Sequence, residues 1–270
     1  MGTNIAKNTV KEVFNRYEKK YLVDGEICER LCYDLSAYMQ PDPYNKDGDT
    51  YMISNIYYDT VDSHLIRSSL AKPSYKEKLR LRSYGTPAAT SRVYAEIKKK
   101  YCGIVNKRRS AMLLDEAYRF LETGQTPVIQ PYMNRQVMSE IQYMLSGRTV
   151  LPMLYLAYER KAFFGIDDEE LRVSFDTAIT TRREDLRLEA GCYGKQLLPE
   201  GQWLMEIKTA GALPVWLIKL LSGYQVYPHS FSKYGTEFRQ HMATSTANAK
   251  GAVMVPKGRT WNEEWTVVNA

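Results

Sequence analysis

The ten residues Tyr75-Lys76-Glu77-Lys78-Leu79-Arg80-Leu81-Arg82-Ser83-Tyr84 decide how this chain folds. Successive side chains of a strand point to opposite faces. As a strand, the stretch puts Lys76, Lys78, Arg80, Arg82 and Tyr84 on one side, and Tyr75, Glu77, Leu79, Leu81 and Ser83 on the other. Residues 92–101 repeat the division: Tyr94, Glu96, Lys98 and Lys100 oppose Val93, Ala95, Ile97, Lys99 and Tyr101. A loop of Gly, Thr, Pro, Ala and Ser joins the two, a hairpin-type connection. The same habit recurs along the chain. In 204–208, Leu204, Glu206 and Lys208 oppose Trp203, Met205, Ile207 and Thr209. Arg16, Glu18 and Lys20 share a face, Arg160 follows Tyr158 by two, and Arg172, Ser174 and Asp176 lie together.

A sheet with one wet face is ordinary for antiparallel strands. Solvated faces usually mix both signs, whereas these carry an excess of cations. Like charges at neighbouring positions repel, so a chain that concentrates them is built around an anion, and a one-signed cleft focuses ligands of opposite sign. Curling the sheet into a barrel with its apolar faces outward turns that cleft into a basic tunnel. Helices must then cover the outside.

The rest of the chain supplies those helices. Residues 12–22 read as a strand. Asp24 reads as an N-cap, followed by Ile27, Leu31, Leu35 and Met39 at helical spacing up to Pro41. Residues 50–59 are a strand and 62–70 a short helix opened by Asp62; 102–110 continue the sheet. Helices are expected at 113–123 and 133–146, closed by Gly124 and Gly147. Strands follow at 152–165, 171–176 and 202–209. A short helix at 214–222 starts on Pro214, and another runs through 233–242. From Ala243 the sequence turns small and polar, so the reading is one domain over 1–242 and an extension over 243–270. Asp59 and Asp176 read as turn formers at strand ends.

Composition removes other classes. The chain has 270 residues, a net charge of +6, 44% hydrophobic and 25% charged residues, which are globular values. No apolar run is long enough to span a membrane, no signal-peptide core is present, and Ala6 stands where a myristoylation signal has Ser or Thr. The expectation is a soluble, cytoplasmic protein. Cys28, Cys32, Cys102 and Cys192 form no disulfide framework, and His64, His229 and His241 have no zinc-spaced partner. P-loop, dinucleotide and serine-hydrolase signatures are absent.

Several pieces resemble, in order, the VTC domain, the catalytic domain of the vacuolar transporter chaperone polyphosphate polymerase, within the CYTH/triphosphate tunnel metalloenzyme superfamily. They are Arg16-Tyr17-Glu18-Lys19-Lys20-Tyr21, Tyr57-Tyr58-Asp59-Thr60, Lys78-Leu79-Arg80-Leu81-Arg82 and Glu96-Ile97-Lys98. They continue with Tyr158-Glu159-Arg160, Arg172-Val173-Ser174-Phe175-Asp176, Glu206-Ile207-Lys208 and Phe231-Ser232-Lys233-Tyr234. The resemblance implies an α+β fold, an antiparallel β-barrel tunnel with helices packed on its outer face. It implies a polymerase that moves the γ-phosphate of ATP onto polyphosphate with a divalent metal, Mn or Mg. By motif, Lys20, Arg80, Arg82, Lys98, Arg160, Arg172 and Lys208 line the tunnel, Lys233 sits on a closing helix, and Glu206 holds the metal. Lys78, Lys100, Tyr158 and Ser232 join them as substrate contacts, and Glu18 or Glu96 assists Glu206. Two positions depart from the pattern: Arg16 replaces an acid common in the superfamily, and Ser230 replaces a family Lys.

Phosphoryl transfer is mostly positioning and charge stabilisation, so the residue set needs no protein nucleophile. The expected partners are ATP and polyphosphate, with no nucleic acid and no membrane span, though a membrane partner could receive product. Two other classes stay open: a triphosphate or polyphosphate hydrolase on the same barrel, and a non-catalytic polyphosphate or inositol-phosphate binding module.

Overall fold

Alternation of polar and apolar side chains produces a large antiparallel sheet in the computed structural model, which describes residues 17–45, 50–102, 104–251, 254–256 and 265–267. The chain divides into two compact units, Met1–Phe231 and Ser232–Ala270. In the first unit the order is β1 (Tyr17–Asp24), α1 (Gly25–Leu35), β2 (Met39–Pro41), β3 (Tyr51–Asp59), α2 (His64–Leu70), β4 (Tyr75–Tyr84) and β5 (Arg92–Tyr101). It continues with β6 (Ile104–Leu113), α3 (Leu114–Thr123), α4 (Arg135–Ser146), β7 (Leu151–Gly165), β8 (Arg172–Arg182), β9 (Lys195–Gln196), β10 (Gln202–Thr209) and α5 (Val215–Gly223). The second unit holds α6 (Lys233–Gly251), β11 (Met254–Pro256) and β12 (Trp265–Val267), the last two paired antiparallel.

The main sheet runs β1-β10-β8-β7-β3-β4-β5-β6, with β2 added on β7 and β9 on β8. Its apolar face carries two separate cores. Leu79, Leu81, Val93, Ala95, Ile97 and Met112 pack under α3 and α4 through Phe120, Leu121, Val137 and Ile141. Tyr21, Val23, Val173, Phe175, Met205 and Ile207 pack under α1 and α5 through Leu31, Leu35 and Leu217. Burying a Leu or Ile side chain contributes about 1.5–3 kcal/mol, and Leu79 and Leu81 are fully covered. The outer side of the strands is thus fixed by burial, and the charged side has to face inward.

The sheet is curled but not a closed barrel: the edge strands β1 and β6 are not hydrogen bonded to each other. That the sheet curves is evident from its electrostatics. Glu18 on β1 acts on Lys98 of β5, and Lys20 on Lys78 of β4. Across a flat sheet, five strand spacings would separate β1 from β4 by about 24 Å, beyond such influence. A β-bulge assists the bend: Ala178 and Ile179 of β8 lie opposite the single residue Tyr158 of β7, and Ala178 has φ 48°.

Several expectations are corrected. The helix opened by Asp24, whose carboxylate accepts from Ile27 N at 2.8 Å, stops at Leu35; Met39 belongs to β2, which pairs with β7. Asp62 does not cap α2. Asp59 does, accepting from Leu65 N at 2.8 Å and Ile66 N at 2.9 Å. Asp176 is no turn former, because β8 runs on to Arg182. Pro214 precedes its helix rather than opening it, and α6 extends to Gly251 instead of stopping near 242. Residues 12–16 of the expected first strand, Arg16 among them, lie outside the described residues.

Candidate functional site

The concave face gathers most of the expected site. Lys78 pairs with Lys98 across β4 and β5, Lys76 with Lys100, and Lys98 in turn with Lys107 of β6. These five lysines form a block on three neighbouring strands. Lys78 and Lys98 make no ion pair or hydrogen bond among the described residues. Crowding of like charge has a measurable consequence. The Lys78 ammonium is pushed down to about 8, by burial first and then by Lys98, Lys20 and Lys76, while Tyr57 opposes. Lys98 is lowered too, by burial and by Lys20, Arg80 and Lys208, against the pull of Glu18.

The arginines are held differently. Arg80 donates from Nε to Glu96 at 2.7 Å and from Nη1 to the Tyr57 hydroxyl at 3.0 Å. Arg82 donates to Asn55 Oδ1 at 3.0 Å and to the Tyr158 hydroxyl at 3.3 Å. Arg160 makes a two-pronged pair with Asp176, at 2.6 and 2.8 Å, both side chains buried. Arg172 donates to Asp42 at 3.1 Å. Each guanidinium is fixed in place with only part of its five N–H groups used, which is a preorganised arrangement for phosphate oxygens.

The carboxylates fall into two groups. Lys20 bridges Glu18 and Glu206, with both contacts at 3.1 Å, and Lys208 reaches the second oxygen of Glu206 at 3.2 Å. Strand pairing explains the juxtaposition, since Glu18 faces Lys208 and Lys20 faces Glu206. Glu96 joins a different cluster: it is 1% exposed and contacts Arg80, Arg82 and Lys107. Burial would raise its pKa, but Arg80, Arg82 and Lys107 outweigh that and hold it well below the usual carboxylate range.

Among the described residues no three His, Cys, Asp or Glu side chains gather as a metal-binding group. The donor chemistry beside Glu206 nonetheless fits one hard cation. Ser174 is the strand partner of Glu206, and its buried hydroxyl has no hydrogen-bond partner; neither has Arg172 Nε two residues away. Two neighbouring carboxylates and an unused hydroxyl offer oxygen ligands, and Mg²⁺ or Mn²⁺ normally completes its shell with water and phosphate.

Lys20, Lys78, Arg80, Arg82, Glu96, Lys98, Lys100, Tyr158, Arg160, Arg172, Glu206, Lys208 and Glu18 thus lie on one face of one sheet. Ser232 and Lys233 belong to the second unit, where Gly235 N donates to Ser232 Oγ at 3.2 Å and Lys233 opens α6. Sequence reading missed Lys107, Asn55 and Tyr57. Asn55 and Tyr57 were legible as the alternate positions of β3 that face Arg82 and Arg80. Lys107 was legible only once β6 was registered against β5.

The inner side of this curved antiparallel sheet is a strongly basic surface of lysines and braced arginines. Residues 15–242 match the VTC domain, and the chain belongs to that family. It is 27% identical over 158 residues to vacuolar transporter chaperone complex subunit 4 of Schizosaccharomyces pombe, covering 52% of this chain and 22% of that protein. The chain therefore spans about a fifth of that relative's length. Similar solved structures include a candidate adenylate cyclase from Bacillus halodurans, at 17% identity and TM-score 0.48 over 82% of this chain and 94% of that one. Another is a Hippeastrum protein, a candidate adenylyl cyclase described with a dominant triphosphatase activity, at 18% identity and TM-score 0.48 over 83% of this chain and 95% of that one. Among the described residues no helix is long and apolar enough to cross a membrane.

Proposed function

We propose that the concave face binds the triphosphate of ATP and passes its γ-phosphoryl group to the end of a polyphosphate chain. The observation that carries this reading is the lysine block, in which Lys78 and Lys98 stand side by side with no ion pair among the described residues. Membership of the VTC domain family supports polyphosphate as the polyanion. In this reading a terminal oxygen of the acceptor attacks the γ-phosphorus, the bond to the β-bridging oxygen breaks, and ADP leaves with the electron pair. Arg80, Arg82 and Arg172 orient the phosphates by their unused N–H groups, and Lys78 and Lys98 offset the charge. Lys20 and Lys208 stay close to Glu206 and follow whichever anion is nearer.

A divalent cation would be held by Glu206 with Glu18 and Ser174, and would supply further charge neutralisation on the phosphate oxygens. Glu96 is assigned to bracing Arg80, because it is 1% exposed and takes both Nε and Nη2 of that guanidinium at 2.7 Å. The choice of acceptor rests on the acids. Glu18, Glu206, Glu96, Asp176 and Asp42 are each already bonded to a cation. A water nucleophile needs a carboxylate to orient it, whereas a terminal phosphate is largely ionised at neutral pH and needs none. That supports transfer over hydrolysis. ATP is a cytoplasmic metabolite, and we place the domain on that side, with the other subunits of a vacuolar transporter chaperone complex as the partners that the relative's name suggests.

The test is incubation with γ-labelled ATP and Mn²⁺ or Mg²⁺, with and without short polyphosphate, resolved by gel. The expected products are ADP and a labelled polyphosphate ladder. ADP and free phosphate alone, under every condition, would establish the hydrolase instead; bound but unconsumed ATP would establish a binding module.

A further inference from the structure

Along β4 the inward positions read Lys76, Lys78, Arg80, Arg82, Tyr84, and along β5 they read Lys100, Lys98, Glu96, Tyr94. On β4 Tyr84 follows Arg82, and on β5 Tyr94 follows Glu96 with Arg92 at the strand's end; on β3 Ile53 pairs with Tyr84 and the next residue on that face is Tyr51, opposite Arg160. Tyr44 joins from the turn after β2. Four rings gather here: Tyr44 and Tyr84 lie 6.1 Å apart and nearly parallel at 16°, Tyr51 is within 6.4 Å of both, and Tyr94 meets Tyr84 edge-on at 5.8 Å. The group is braced. Arg109 stacks 4.6 Å over Tyr94 and donates to the Tyr84 hydroxyl at 3.4 Å, while Tyr51 donates to Asp42, which also accepts from Arg172. Yet Tyr44 and Tyr84 keep 68% and 43% of their surface exposed.

Ring faces carry partial negative charge, so the faces themselves do not attract a bare phosphate chain, whatever the arginines at their edges do. They suit the flat face of a base. We propose that Tyr84, with Tyr44, is the stacking platform for the nucleobase of the nucleoside triphosphate, making this end of the groove the nucleoside end. The proposal rests on the triphosphate reading above and adds direction to it. The step from Arg82 to Tyr84 is about 7 Å along the strand, leaving room for a sugar between the phosphates and the base. The γ-phosphate then points toward Lys78, Lys98 and Glu206, and the acceptor chain enters from the opposite end. A nucleoside triphosphate is charged at one end and aromatic at the other, and the inner face of β4 has that same gradient. Stacking by any flat base predicts weak discrimination among purines.

Neither ring belongs to either hydrophobic core, so their removal leaves the cores intact. The experiment compares calorimetric affinities of ATP and inorganic tripolyphosphate, with Mg²⁺, for the full chain and for Tyr84→Ala, Tyr44→Ala and Tyr84→Phe. Base–aromatic stacking leads us to expect about tenfold weaker ATP binding in Tyr84→Ala. A smaller loss is expected in Tyr44→Ala, no loss in Tyr84→Phe, and unchanged tripolyphosphate affinity in all three. Equal losses for both ligands in Tyr84→Ala, or no loss for either, overturn the platform while leaving the triphosphate reading standing. A loss in Tyr84→Phe as large as in Tyr84→Ala overturns stacking in favour of the hydroxyl. An unmutated chain that binds neither ligand overturns the triphosphate reading itself, and the platform with it.

Discussion

Lys78 illustrates how much a single residue's neighbours matter. Its folded pKa is pushed down to about 8 by burial and by Lys98, Lys20 and Lys76. Between that value and the ordinary lysine range the unfolded chain binds more protons than the folded one. Stability of the ligand-free protein therefore rises with pH across this window, and the full penalty is present below it. A bound polyanion relieves the penalty and holds the proton on. Affinity for tripolyphosphate is accordingly expected to fall as pH climbs through about 8, with proton uptake on binding. Calorimetry in buffers of different ionisation enthalpy measures that uptake. Lys107, pushed down to about 6 by burial and by Arg80, takes up protons as well, so Lys78→Met should remove only the part of the uptake that belongs to the step near pH 8; an unchanged uptake there would place the titrating group elsewhere. The sequence made Lys78 and Arg80 look alike, two cations on one face. What separates them is a partner on another strand, Glu96 for Arg80 and none for Lys78, and such pairings depend on register. The same holds for Asp176, whose place opposite Arg160 becomes visible only when β7 and β8 are aligned.

At the level of elements, alternation was a reliable guide in β4, β5 and β10, whose apolar positions enter the two cores. It was less reliable at ends. Met39 sits at helical spacing from Leu35, but Ser36 to Tyr38 form a turn in which Tyr38 N donates to Leu35 O at 2.9 Å, and Met39 enters the core from β2. Both conformations bury the same side chain, so hydrophobic spacing could not choose between them. The start of α2 was misread for a related reason. Asp62 has the position of a cap, but Ser63 at the N-cap has φ 57°, and the carboxylate that reaches the free N–H groups is Asp59, at the end of β3. Its two bonds tie helix to strand. Asp59→Ala is expected to cost about 1–2 kcal/mol, in the range of cap removals, with Asp62→Ala close to neutral. Urea unfolding of the two variants checks this, and equal losses would return the cap to Asp62.

For the first unit as a whole, its long strands, its basic inner face and its helical cover were legible, because binary patterning fixes which side is buried, whereas β2, β9 and the second half of β8 were not. Closure was not. Whether two edges meet depends on curvature accumulated over eight strands, which is not local. One strand threads both halves of this unit. β7 gives Tyr155 and Ala157 to the core under α3 and α4, then Phe163 to the core under α1 and α5, with the bulge opposite Tyr158 between them. A sheet stiffened from behind at two places is most compliant along the line where the backing changes, so the two halves should breathe independently, like covers about a spine. Hydrogen exchange can detect this, because regions that open separately have separate opening free energies. Ile141→Ala in α4 should quicken exchange in α3, α4 and β5 and leave α1, α5 and β10 at their original rates. Uniform quickening would mean the unit opens as one. If the halves do move separately, filling the groove would dampen the flexing, and exchange across β7 should slow on adding tripolyphosphate.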